Sequence, residues 1–128
     1  TLVTGVNAGR HGVIGNNYFD RTKGEMVPFI PDPIFDKDEI VKVPTIYDLA
    51  KQSGLKTAGI IWPASRGAKT LDWTVPDVFK QEIFEKHSTA SLLEEFKTAG
   101  IPYGKQQEWC STGKGYDRDR MYAQMLVH

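Results

Sequence analysis

A single cysteine, Cys110, stands among the 128 residues of the chain, so an internal disulfide is excluded and with it a small disulfide-stapled scaffold. Long hydrophobic runs are missing as well. The longest nearly apolar stretch, Ala58 to Ala64, is far too short to cross a bilayer, and no charged segment followed by an apolar one opens the chain. Net charge is also absent: sixteen Lys and Arg balance sixteen Asp and Glu, scattered rather than blocked. No field is left to gather a nucleic acid polymer or an anionic membrane. Nor does the chain open on methionine; it runs from Thr1 to an apolar stretch ending in His128. The expectation is an internal piece of a longer chain, residues 1–128 forming a single partial domain.

What is present is ordinary globular composition, 40% hydrophobic and 25% charged residues, outside the range in which chains stay disordered. A chain of this length buries roughly two-thirds of the surface its unfolded form exposes. Local signals predict helix-to-strand units rather than hairpins. Thr45 caps a helix with Asp48 in its first turn and Ile46, Leu49 and Ala50 at helical spacing, and Gly54 stops it. Lys56 to Trp62 then reads as a short buried strand closed by Pro63. The pattern recurs when Thr89 caps a helix bearing Leu92, Leu93 and Phe96, followed by Gly100 and Ile101-Pro102-Tyr103. Two such units predict an α/β fold with a mainly parallel sheet flanked by helices. A last helix is predicted from Asp117, with Met121, Tyr122, Met125 and Leu126 as an apolar stripe that needs a surface to bury against and otherwise drives self-association. Residues 17–43, rich in Pro and aromatics, and the polar 104–116 read as excursions from the layers.

Chemistry concentrates at the start. The first seventeen residues hold four glycines and three asparagines, a composition that brings backbone and amide donors around an anion. A string of turns satisfies the same composition.

The run Thr4-Gly5-Val-Asn-Ala-Gly-Arg10-His11-Gly12-Val-Ile-Gly-Asn16 resembles the stretch of type I phosphodiesterases and nucleotide pyrophosphatases, of the alkaline phosphatase superfamily, that reads thr-gly, a few residues, his-gly, two apolar residues, any residue, asn. A second stretch, Val43 through the Gly54 turn to Trp62-Pro63-Ala64-Ser65, is similar to that family's helix, glycine, strand and trp-pro turn. The two matches occur in order and cover about the first half of the chain. Two departures concern the pocket rim: the family often has proline before his-gly, where Ala8-Gly9-Arg10 stands, and glycine after trp-pro, where Ala64 stands.

The resemblance implies an alkaline-phosphatase-like fold and hydrolysis of phosphodiester or pyrophosphate bonds in nucleotide or other phosphodiester substrates, with two divalent metal ions, zinc by that likeness, and a secreted or periplasmic location. It implies that Thr1 to Thr4 end the helix that begins at a threonine nucleophile, which lies upstream with the metal ligands outside this chain. Asn16 takes the place of the asparagine that hydrogen-bonds a non-bridging phosphate oxygen. A neutral donor suits that task, because charge sits on the equatorial oxygens during phosphoryl transfer. Trp62, Pro63 and Ser65 are pocket candidates, since ligands in open α/β sheets gather at the carboxyl ends of strands; a tryptophan before proline serves equally as a packing anchor. His11, His87 and His128 are assigned structural or surface roles, no Asp or Cys standing at ligand spacing. Asp117 and Asp119 are read as acidic residues favoured by a helix start. The rival readings are a sulfatase-like or phosphomonoesterase relative, and a binding domain that kept the fold without the catalytic groups.

Overall fold

A computed structural model describes residues 1–29 and 35–128; Pro31 and Pro33 lie outside the described residues. The order of elements is α1 (Ala8–His11), β1 (Asn17–Asp20), β2 (Glu25–Pro28), α2 (Lys37–Ile40), α3 (Ile46–Gln52), β3 (Ala58–Trp62), β4 (Trp73–Pro76), α4 (Gln81–His87), α5 (Ala90–Thr98), a 3-10 turn (Tyr103–Lys105), α6 (Gln106–Ser111) and α7 (Gly115–Val127).

The architecture is mixed α/β, with one parallel and one antiparallel strand pair among the described residues. A mainly parallel sheet is therefore not what the fold displays. β3 runs parallel to β4, Trp73-Thr-Val-Pro76, a short strand that ends in proline. β1 and β2 form an antiparallel hairpin inside the segment expected to be an excursion. Its turn is built by Asp20, whose Oδ1 accepts from the Thr22 amide at 2.9 Å and the Lys23 amide at 3.2 Å. Gly24 closes it at φ 70°, donating to the Asp20 carbonyl at 2.7 Å.

The α3 cap forms as expected. The Thr45 hydroxyl accepts from the Asp48 amide at 3.2 Å, and the Asp48 carboxylate accepts from the Thr45 amide at 2.7 Å. Gly54 follows at φ 80°. The buried face is not the expected one, however: Ile46 is 65% and Leu49 53% exposed, while Asp48 is buried. The reason is a buried ion pair. Lys37 of α2 donates to Asp48 at 2.6 Å, both side chains being withdrawn from solvent, and the Thr70 hydroxyl donates to the second carboxylate oxygen. This arrangement turns the polar side of α3 inward.

The second helix-glycine unit departs from its prediction in two ways. Gly100 stops α5 at φ 71°, but Ile101 leads into the 3-10 turn and α6 rather than a strand, Pro102 having no amide to give to a ladder. The Thr89 hydroxyl does not cap α5; it accepts from the Thr74 amide at 2.9 Å, joining the helix to β4. The hydrophobic core lies on this half of the molecule, where Val75, Phe84, Leu93, Phe96, Met121 and Met125 pack together. Met121 and Met125 of the α7 stripe are buried there, while Leu126 is exposed. α7 also begins at Gly115, ahead of Asp117. Among the described residues no helix is long and apolar enough to cross a membrane.

Burial pushes the Asp48 carboxyl up, and the hydrogen bonds from Lys37, Thr70 and Thr45 outweigh it, holding it at about 2 against an ordinary 3.8. A depressed carboxyl stabilises the fold above its unfolded value and loses that contribution as pH falls through the folded one. Asp48→Asn should cost about 3 kcal/mol at neutral pH, leaving Lys37 buried with less compensation. In urea melts the gap between parent and variant should narrow as pH falls from 3.8 towards about 2; a gap independent of pH over that range would show that the charge on Asp48 is not what matters.

Candidate functional site

The first sixteen residues wrap onto the segment between α2 and α3 through main-chain bonds. Thr1 to Gly5 form one helical turn, the Gly5 amide reaching the Thr1 carbonyl at 2.9 Å, and Gly5 ends it at φ 65°. The Val3 carbonyl then accepts from the Ile46 amide at 2.7 Å, and the His11 carbonyl from the Lys42 amide at 3.0 Å. Thus the two stretches singled out in the sequence, far apart along the chain, meet in space.

His11 is buried and works inside the loop. Its Nδ1 accepts from the Val13 amide at 3.2 Å, and its Nε2 faces the Thr1 main-chain nitrogen at 3.1 Å and the Thr1 hydroxyl at 3.2 Å. Gly12 follows at φ 87°, and a Cβ there would stand 3.0 Å from the Ile40 carbonyl oxygen. Only glycine allows this approach without strain.

The meeting of the two stretches encloses a concavity of about 380 Å³ whose walls include Thr1, Thr4, His11, Thr45, Tyr47 and Trp62. Its walls combine hydroxyls with apolar surface, and among the described residues no carboxylate lines it, so an anionic group meets no like charge from them. Tyr47 was not singled out from the sequence. Its phenol is pushed up by burial, against a lowering hydrogen bond from Thr45 and the Lys37 charge, and the Lys37 ammonium lies 5.5 Å from its ring centre. The only sequence signal for it is its place in the first turn of a capped helix.

The candidate residues separate. Trp62 and Pro63 stand in the wall. Ser65 does not: it is buried, and its hydroxyl donates to the Trp62 carbonyl at 2.6 Å, fixing the turn after β3. Asn16 is not among the residues that line the concavity, which the loop leaves at Ile14. Its carbonyl accepts from the Phe29 amide at 2.7 Å, extending the β1–β2 ladder by one bond, and its side chain is exposed.

Elsewhere, His87 is half-buried and its imidazole is pushed down by burial and by the Arg66 charge. His128 lies edge-on to Phe96 with ring centres 6.0 Å apart. Asp117 sits in the first turn of α7. Among the described residues no three His, Cys, Asp or Glu side chains come within range of a common metal ion, so these residues do not themselves fit the two-metal centre that the resemblance implies. Gly12→Ala should lower stability by about 1–3 kcal/mol through the left-handed backbone and the Ile40 contact. Its unfolding midpoint would match the parent if the loop did not rest against Ile40 as described.

No curated protein and no solved structure matches the chain. The family model for type I phosphodiesterase / nucleotide pyrophosphatase matches residues 1–118. With most of its length matched, including both stretches that build the concavity, the chain belongs to the type I phosphodiesterase/nucleotide pyrophosphatase family.

Proposed function

We propose that this chain supplies the phosphate-gripping side of a hydrolase that cleaves phosphodiester or pyrophosphate bonds, with Asn16 donating its side-chain amide to a non-bridging oxygen of the substrate phosphate. The observation that carries the reading is the convergence of the two family-like stretches on one concavity, lined by no carboxylate among the described residues, inside a chain that belongs to this family. The proposal assigns the threonine nucleophile and the ligands of two zinc-like ions to residues outside 1–128. When bound, those ions supply Lewis-acid and nucleophile-activating chemistry.

What these residues contribute is charge placement. During transfer the non-bridging oxygens hold the negative charge, and a fixed neutral donor stabilises them without reorganising. Asn16 is suited to this because its main chain is held in the hairpin while its amide stays exposed. The same reading points to an extracytoplasmic enzyme acting on nucleotides or other small phosphodiesters.

In the enzyme that contains this chain, Asn16→Ala should lower kcat by about 10²–10³, the loss seen for one oxyanion donor, with zinc content and melting temperature close to the parent. Asn17→Ala should do much less, since that residue belongs to the β1 ladder opposite Pro28. Normal kinetics for Asn16→Ala beside a severe Asn17→Ala would shift the assignment by one residue; normal kinetics for both would remove the loop from the site. Residues 1–128 alone should neither retain zinc after dialysis nor hydrolyse an activated phosphodiester above a blank. Turnover with stoichiometric zinc would show that this stretch holds the complete centre.

A further inference from the structure

β3 does not run evenly into its turn. Ala58, Gly59 and Ile60 face Trp73, Thr74 and Val75 one for one, but the next pair is Trp62 with Pro76, so Ile61 is an extra residue in the strand. It adopts φ 51°, a left-handed conformation that a β-branched residue rarely takes. The consequence is visible on both sides of the strand. Ile60 and Ile61 both pack against the hydrophobic core, although successive residues of a regular strand point to opposite faces. Trp62 lines the concavity shared with Thr1 and His11, of which Ile60 and Ile61 are not part. A Cβ on Gly59 would stand 3.8 Å from the Cβ of Trp62, which puts those two residues on one face.

We propose that the bulge at Ile61 is a positioning device for the substrate pocket: the extra residue reverses the alternation of β3 and sends Trp62 out of the core to form the pocket wall. The proposal rests on the reading of the concavity as the substrate site. Without the bulge Trp62, two residues after Ile60, would share its face and enter the core. The turn that follows holds the result in place, with Ala64 at φ 56° and the Ser65 hydroxyl on the Trp62 carbonyl at 2.6 Å. Bulges next to active sites re-aim side chains in this way, and left-handed strain at a non-glycine residue persists where its surroundings impose it. Ile61 is thus a positioning residue acting through Trp62.

The test uses the full enzyme labelled with 5-fluorotryptophan, the Trp62 resonance being assigned by its loss in Trp62→Phe. Inserting an alanine between Val75 and Pro76, which gives Ile61 a partner and removes the bulge, should move that resonance and abolish its shift between H₂O and D₂O, as the ring joins Ile60 on the core face. The value of kcat/KM should fall roughly 10- to 100-fold, as for a misplaced substrate-contacting group. Ile61→Gly keeps the left-handed backbone without its steric cost, and should leave both readouts near the parent. An unmoved Trp62 resonance in the insertion variant overturns the proposal. So does an Ile61→Gly variant as altered as the insertion, which would place the effect in the isoleucine side chain. If the insertion variant does not fold, Gly59→Ala decides: its methyl presses on Leu71 and stands 3.8 Å from the Trp62 Cβ, so it should shift the resonance, and no shift would put Trp62 on the other face. A moved resonance with unchanged kcat/KM would remove the concavity from catalysis, and this proposal with it, while the Asn16 assignment keeps its own test.

Discussion

The pocket side of this molecule hangs on the Lys37–Asp48 ion pair. Lys37 also contacts Asp38 at 3.0 Å, and its main-chain amide donates to the Arg66 carbonyl at 2.8 Å. Asp48 accepts from Thr45 and Thr70. Four separated pieces of chain, near residues 37, 45–48, 66 and 70, are therefore held by one buried polar cluster. A buried pair recovers its desolvation cost only when the remaining lone pairs and protons are also satisfied, and here both carboxylate oxygens of Asp48 are used. Burial alone would lower the Lys37 ammonium, but its hydrogen bonds to Asp48 and Asp38 and their charges hold it above its usual value. The pair thus remains charged on both sides, and the α3 helix has one orientation open to it.

That constraint explains why some of the fold was legible in the sequence and some was not. Caps and stops are local chemistry: the Thr45–Asp48 box and the left-handed Gly54 and Gly100 follow from residues a few positions apart. Which face of α3 is buried is not local. Ile46 and Leu49 at helical spacing implied an apolar buried face, yet the inward face is set by Lys37 and Thr70, neither of which periodicity can see. The hairpin failed to announce itself for a related reason. Its strands carry apolar residues on both faces, Val27 buried while Phe19 and Met26 are exposed, so no alternation marks them, and only the Asp20 to Gly24 turn was there to be read.

The site was legible in its pieces and not in its assembly. The his-gly loop and the trp-pro turn could be named from residues alone, but Tyr47 joins them only because the loop is bonded to the start of α3. Ser65 shows the opposite error. A serine after a strand looks like a donor for a ligand, while here its hydroxyl serves the turn that carries Trp62.

The two halves of the molecule are held by different physics, and the difference suits their tasks. Around α4, α5 and α7 an apolar core with Phe84 and Phe96 fully buried supplies non-directional stabilisation. Around the concavity the fasteners are directional. The carbonyls of Val3, His11 and Asn16 accept from Ile46, Lys42 and Phe29, so the loop is fixed by its main chain and its side chains are left to line a pocket. An apolar core could not do this, since the same side chains would have to be buried to hold the loop. Trp62 sits where the two regimes meet, at the end of a strand whose Ile60 and Ile61 belong to the core. A single left-handed residue transfers the next side chain from one regime to the other, which is how a rigid core comes to orient a polar, solvent-open site.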